Sequence, residues 1–189
     1  LGGMTTGDDK SVLPSVLASA NVDAWRMKYP RKATLEFNRD RKSMSVLVDT
    51  CAAAKKATQN RLLVKGAPNL LLDRCSHVKY RDGKVIPLTA KLKRSIESQI
   101  TEMATRPLRC LALAVKDEDK LERSLQKFDG HDPSRNPLLR DPSKYKDIES
   151  GLTLVGIVGI KDPARPEVAD SILECSQAGI RVMMITGDA

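Results

Sequence analysis

Apolar and polar residues alternate through Ala33–Asn38 and again through Ser43–Val48, the period of strands with one buried face. In the first run Leu35 and Phe37 share a face; in the second Met44, Val46 and Val48 do. The charged run Arg39-Asp40-Arg41-Lys42 between them reads as a turn, so the two runs predict an antiparallel hairpin. Arg61–Lys65 is a short buried strand, Gly66 turns the chain, and Pro68 opens a short helix at a position that tolerates proline. Residues 77–87 predict a second hairpin turning at Asp82-Gly83. Leu92, Ile96, Ile100 and Met103 recur at helical spacing behind Thr89, a good N-cap, and predict a helix over 91–105. Residues 108–116 and 152–160 read as strands, the second continuously apolar. Glu167–Gly179 predicts a helix with Val168, Ile172 and Cys175 inward and Gly179 as its C-cap. Arg181–Thr186 then reads as a second fully buried strand, which would make 152–186 a parallel strand–helix–strand unit.

The remaining stretches are less regular. Residues 1–11 are a Gly/Thr/Asp-rich loop. Ser11–Tyr29 carries a helical pattern interrupted at Pro14 and stopped by Pro30. Cys51–Asn60 is a basic connection. Residues 117–150, with Pro133, Pro137 and Pro142, predict a helical piece followed by a long surface loop. The expected fold class is α/β (α+β): an antiparallel sheet with flanking helices over 1–161, a proline-flanked break at 162–166, and the beginning of a second domain over 167–189. A segment as short as the last one cannot form its own core, so the 189 residues read as a piece that stops inside that second domain.

Aromatics make up only 3% of the chain, so the core must be aliphatic, and the net charge of +8 favours a polyanionic ligand: a nucleotide, nucleic acid or an acidic membrane surface. Cys51, Cys75, Cys110 and Cys175 are widely spaced and the histidines are two, His77 and His131, which disfavours a zinc cluster or a disulfide framework. No run reaches the roughly 18 apolar residues that span a bilayer, and the first residues lack the basic and apolar regions of a signal peptide.

Four stretches could carry chemistry. Thr186-Gly187-Asp188 closes an apolar run and could offer a hydroxyl, an approachable backbone and a carboxylate to a phosphate or Mg²⁺; it could equally be an ordinary strand end. Lys65-Gly66-Ala67-Pro68 places a lysine beside a glycine wall and a helix start whose N–H groups favour anions, or is a plain turn. Phe37 stands beside Arg39, Arg41 and Lys42, so its ring could stack on a purine while cations reach the phosphates, or it could join the core. Arg109 is a lone cation on an apolar strand, open to a ligand or to a salt bridge. Gly2–Gly7 has P-loop spacing, but Asp8-Asp9 comes next where a lysine is required, which excludes a P-loop. Lys91–Arg94 reads as a solvated helix face, and no basic stripe carries the interleaved aromatics of a nucleic-acid binder.

In chain order, "LEFNRDRKSMSV", "VKGAP", "LRCLALA", "VGIVGIKDPARPEV" and "AGIRVMMITGD" closely resemble the cytoplasmic catalytic region of P-type cation-transporting ATPases, most of all the sarco/endoplasmic-reticulum type of calcium pump. The resemblance runs from about residue 33 to the end. It implies a nucleotide-binding domain inserted in a phosphorylation domain of haloacid-dehalogenase-like fold, of which 167–189 would be a stub. It implies that ATP, with Mg²⁺, is bound by the first domain and spent on an aspartate of the second to drive Ca²⁺ through a membrane domain. Carried over by motif, Phe37 would stack on adenine; Arg39, Lys42 and Met44 would line the pocket; Lys65 and Gly66 would form its inner wall; and Arg109, with Leu111, would hold the phosphates. Asp162 and Arg165 would lie in the hinge, and Thr186, Gly187 and Asp188 would face the transferred γ-phosphate. The implied partners are ATP or ADP and the remaining phosphorylation, actuator and transmembrane domains, not nucleic acid; the implied location is the cytosolic face of an endomembrane such as the endoplasmic reticulum.

The family's Asp-Lys-Thr-Gly-Thr acceptor motif does not occur: Asp9-Lys10 is followed by Ser-Val and Asp119-Lys120 by Leu-Glu. Its downstream Gly-Asp-Gly-x-Asn-Asp motif is absent too, so the chain is expected to bind nucleotide without turning it over. Asn69 replaces the glutamate usual after Lys-Gly-Ala-Pro, and Ala164 the proline usual after Asp-Pro. The family also assigns strand 152–160 to the first domain's sheet, against the parallel unit. Two other readings remain open: a free-standing ATP sensor, and a basic polyanion-binding module.

Overall fold

The computed structural model describes residues 14–185 apart from 53–58, 107 and 162. The expectations for residues 1–11, Asp162 and Thr186–Asp188 lie outside the described residues. Among the described residues seven strands form one sheet: β1 (Arg31–Asn38), β2 (Ser43–Asp49), β3 (Asn60–Gly66), β4 (Cys75–Lys79), β5 (Val85–Pro87), β6 (Arg109–Lys116) and β7 (Leu152–Ile160). Their order across the sheet is β1-β2-β3-β6-β7-β4-β5. Neighbours run antiparallel except β4 and β7, which are parallel.

The helices α1 (Pro14–Lys28), α2 (Pro68–Leu72), α3 (Ala90–Thr105), α4 (Arg123–Gln126), α5 (Tyr145–Ile148) and α6 (Val168–Gln177) accompany the sheet. Residues 11–13, and with them the expected interruption at Pro14, lie outside the described residues, and α1 is described from Pro14 onward; Pro68 sits in the first turn of α2. Thr89 caps α3, its hydroxyl accepting from the Leu92 N–H at 3.3 Å.

One face of the sheet is sealed. Ala33, Leu35, Leu47, Leu62, Val64, Ala112, Ala114, Leu152 and Leu154 are buried against Leu71 and Leu72 of α2, Ile100 of α3, and Leu121, Leu125, Leu139 and Ile148. The core is aliphatic, as the composition requires. Leu121, Leu125, Leu139 and Ile148 belong to 117–150, so that segment is no surface loop. It is a string of short helical turns whose apolar residues fall at intervals too irregular for a helical or strand period. Asp132 and Asp141 accept from the Ser134 and Ser143 N–H groups and cap two of these turns.

The alternation of β2 did not say which of its faces is buried. Ser43 and Ser45, not Met44 and Val46, are wholly buried beside Leu47. Nor do the described residues form a parallel unit toward the end of the chain. Strand β7 pairs with β6 and β4, residues 181–185 form no strand, and Met184 and Ile185 are about nine-tenths exposed at 89% and 91%. Helix α6 buries none of its residues. A strand buried on both faces needs neighbours on each side, and the described residues supply none there.

Leu62 is fully buried on central β3, so Leu62→Ala should cost roughly 2–5 kcal/mol, read as a lower urea midpoint; an unchanged midpoint would place the core elsewhere. Burial pushes the Cys75 thiol up to about 12, against a smaller opposing pull from Arg74. The folded chain therefore keeps that proton where the unfolded chain releases it, so this contribution to stability is complete below about pH 9 and is lost as pH climbs toward 12. In native protein at pH 9, iodoacetamide should alkylate Cys75 about tenfold or more slowly than in urea, measured by peptide mass spectrometry.

Candidate functional site, a cationic cleft on the open face

The face of the sheet opposite the core carries a cleft of about 650 Å³, lined by Phe37, Arg39, Lys42, Met44, Lys65, Gly66, Ala67, Arg109 and Leu111. All eight residues that the sequence nominated around a nucleotide meet here, with Ala67 added. Sheet register explains much of the convergence. Met44 is opposite Lys65 and Lys65 opposite Leu113. With period-two alternation, Leu111 and Arg109 then fall on the same side.

Phe37 reaches that side by an irregularity. Leu35 pairs with Ser45, but Asn38 pairs with Ser43, so β1 has one residue more than β2 between those pairs. An extra residue reverses the facing of the side chains beyond it. Phe37 leaves the face of Ala33 and Leu35, joins that of Met44, and is 62% exposed. The shared face expected for Leu35 and Phe37 is thereby overturned, and with it the core reading of the ring.

The turn between β1 and β2 is tightly determined. Lys42 adopts a left-handed φ of 46°, unfavourable for a residue with a Cβ. Its N–H donates to the Asn38 carbonyl at 2.7 Å, and its own carbonyl accepts from the Ala67 N–H at 2.9 Å. The Asn38 side-chain oxygen accepts from the Asp40 N–H at 2.8 Å. A Cβ on Gly66 would lie 2.7 Å from the Lys42 carbonyl oxygen and 2.8 Å from the Ser43 Cβ. Gly66 is thus a point of close approach between β3 and the turn, besides lining the cleft. The Ala67 N–H, at the helix start, donates within the protein to the Lys42 carbonyl. The side chains of Arg39, Lys42, Lys65 and Arg109 bring cationic groups to the cleft, and among the described residues no carboxylate lines it.

Sequence reasoning missed what stands behind the turn. On the sealed face Glu149, wholly buried, pairs with Arg41 and Arg74 and accepts from the Ser43 and Ser45 hydroxyls at 2.7 and 2.8 Å. The only sequence signal was a pair of serines at core positions of β2. Arg165 lies apart from the cleft, exposed between β7 and α6, its carbonyl accepting from the Val168 N–H at 3.1 Å.

A family model described as P-type ATPase, cytoplasmic domain N, matches residues 8–167. Calcium-transporting ATPase 2, endoplasmic reticulum-type, of Arabidopsis thaliana is 44% identical over 172 residues, covering 89% of this chain and 15% of the relative. An endoplasmic reticulum calcium ATPase of Aspergillus fumigatus is 43% identical over 168 residues, covering 87% and 15%. Calcium-transporting ATPase 4, endoplasmic reticulum-type, of Arabidopsis thaliana is 42% identical over 166 residues, again 87% and 15%. The chain therefore spans about 15% of the length of the curated relatives it matches.

Because backbone, not a flexible side-chain end, meets a Cβ at position 66, Gly66→Ala should cost about 1–3 kcal/mol and displace the Lys42 turn. Urea unfolding and the amide shifts of residues 38–43 would report both; a variant as stable as the parent would show that the turn yields freely.

Proposed function

The chain belongs to the P-type ATPases, as their cytoplasmic domain N, and on that premise we propose that its cleft binds ATP, presented as Mg-ATP. The supporting observation is the convergence of an exposed Phe37 ring with Arg39, Lys42, Lys65 and Arg109 in one cleft. Phe37 offers a face on which a purine stacks, with Met44 and Leu111 as apolar flanks. The Arg39 and Arg109 guanidiniums suit phosphate oxygens as planar donors, and the Lys42 and Lys65 ammoniums as point charges. The size is that of a small-molecule site. Mg²⁺ would ride on the phosphates, because the cleft lining among the described residues offers cations and no carboxylate.

In the whole protein, residues 1–161 would form the nucleotide-binding domain, 162–166 the hinge with Asp162 and Arg165, and 167–189 part of a phosphorylation domain. Thr186, Gly187 and Asp188 would meet the γ-phosphate there. Bound ATP would be delivered to an aspartate outside this sequence, forming an aspartyl-phosphate that drives ion transport. Calcium as the ion and the endoplasmic reticulum as the membrane rest on the names of the relatives. Transfer of this kind depends on positioning and charge neutralisation, which the cations of the cleft suit. These 189 residues hold no acceptor motif, so they bind nucleotide without hydrolysing it.

Titration calorimetry at fixed salt tests the reading. The parent chain should bind ATP saturably, and Phe37→Ala should weaken it by about 1–3 kcal/mol through lost stacking. Equal dissociation constants for the two proteins, or binding that vanishes steeply with salt and ignores Phe37, would favour the polyanion module instead.

A further inference from the structure

The cleft is shaped from behind. Glu149 lies on the opposite side of β2 from Met44, wholly buried, and lines no part of the cleft. Yet both of its guanidinium partners reach the turn that carries Arg39 and Lys42. Arg41 is itself in the turn; it pairs with Glu149, donates to the Glu36 carbonyl at the end of β1, and stacks over the Tyr145 ring at 5.2 Å. Arg74 pairs with Glu149, donates to the Ser43 hydroxyl at 3.1 Å, and donates from its other nitrogen to the Arg41 carbonyl at 3.0 Å. The Ser43 and Ser45 hydroxyls close the set from β2. Glu149 is steadied in turn by Lys116, whose ammonium donates to the Ile148 carbonyl at 3.0 Å.

We propose that Glu149, acting through Arg41 and Arg74, is a positioning residue for the nucleotide phosphates: it locks the 38–42 turn so that Arg39 and Lys42 face the cleft in one arrangement. The inference rests on the reading of the cleft as an ATP site and extends it to a residue on the far face of the sheet. The charge pattern explains why a carboxylate is required. Arg41 and Arg74 approach one another around Ser43, and only an anion between them lets both sit at the base of a turn whose outer side is already cationic. Lys42 keeps its left-handed φ because the Arg74 guanidinium, the Asn38 carbonyl and the Ala67 N–H hold the backbone on either side of it. With the anchor removed, the turn relaxes toward ordinary backbone angles and its cations spread over many orientations. Affinity for phosphate then falls, while the base-stacking surface on β1 remains.

The test compares the parent chain with Glu149→Gln and with Arg74→Met, the second leaving a charge-balanced Arg41–Glu149 pair should the first fail to fold. Each protein is titrated with ATP and with adenosine at a temperature where urea melts show it folded. Hydrogen exchange is followed, without nucleotide, at the Ala67 amide and at amides of central β3. The expected result is ATP binding weaker by about tenfold or more, adenosine binding changed by less than about twofold, and faster exchange at Ala67 with β3 unchanged. ATP and adenosine weakening in parallel, or Ala67 and β3 exchanging faster together, would reduce Glu149 to a structural residue and overturn the proposal. Unchanged ATP affinity in a folded variant would overturn it as well. A parent chain that binds no ATP would instead sink the reading of the cleft, and the exchange data would still decide whether Glu149 holds the turn.

Discussion

Strand β2 has to satisfy two environments at once. Its side chains alternate between the faces of the sheet, and here one face is sealed by helices while the other carries the cleft. Met44 therefore points to the cleft, while Ser43 and Ser45 point into the protein. Two hydroxyls buried in an aliphatic core would be costly without partners. Glu149 supplies them, and Arg41 and Arg74 balance its charge. The polar knot that makes β2 tolerable inside is the same knot that grips the turn at its end.

Such a knot is a poor source of stability in itself. Removing three charged groups from water is expensive, and well-packed apolar residues often serve a core as well or better. Its value here lies in geometry. Apolar contacts are non-directional and would leave the turn free to slide; paired guanidiniums and a carboxylate hold atoms at fixed distances. That fits a surface whose task is to present separate cations to one polyanion.

The β1 irregularity plays the corresponding part for the ring. Had β1 and β2 kept step, Phe37 would have gone with Ala33 and Leu35 into the core, and the cleft would have had charges but no stacking surface. The extra residue between Leu35 and Asn38 joins an aromatic face to a cationic turn within a few residues of chain. Close packing of Gly66 beneath Lys42 then sets how near the turn lies to β3, and so how wide the cleft opens.

Much of this was legible in the linear chain. Two-residue alternation marked β1 and β2, a short apolar run marked β3, helical spacing behind Thr89 marked α3, and Asp82-Gly83 marked a hairpin, because these depend on local periodicity and turn chemistry. The motif series named the residues of the cleft, since their types and order carry the family's imprint. Contacts distant in sequence decided the rest, and only the tertiary structure holds them. The side to which Phe37 points is set by pairing with another strand. The burial of Ser43 and Ser45 is set by a glutamate more than a hundred residues away. The irregular 117–150 segment becomes part of the core because scattered leucines find the sheet, a match that no fixed period announces. The run at 181–185 reads as a buried strand by composition alone, but a strand is buried only by neighbours, and periodicity cannot say whether neighbours are at hand.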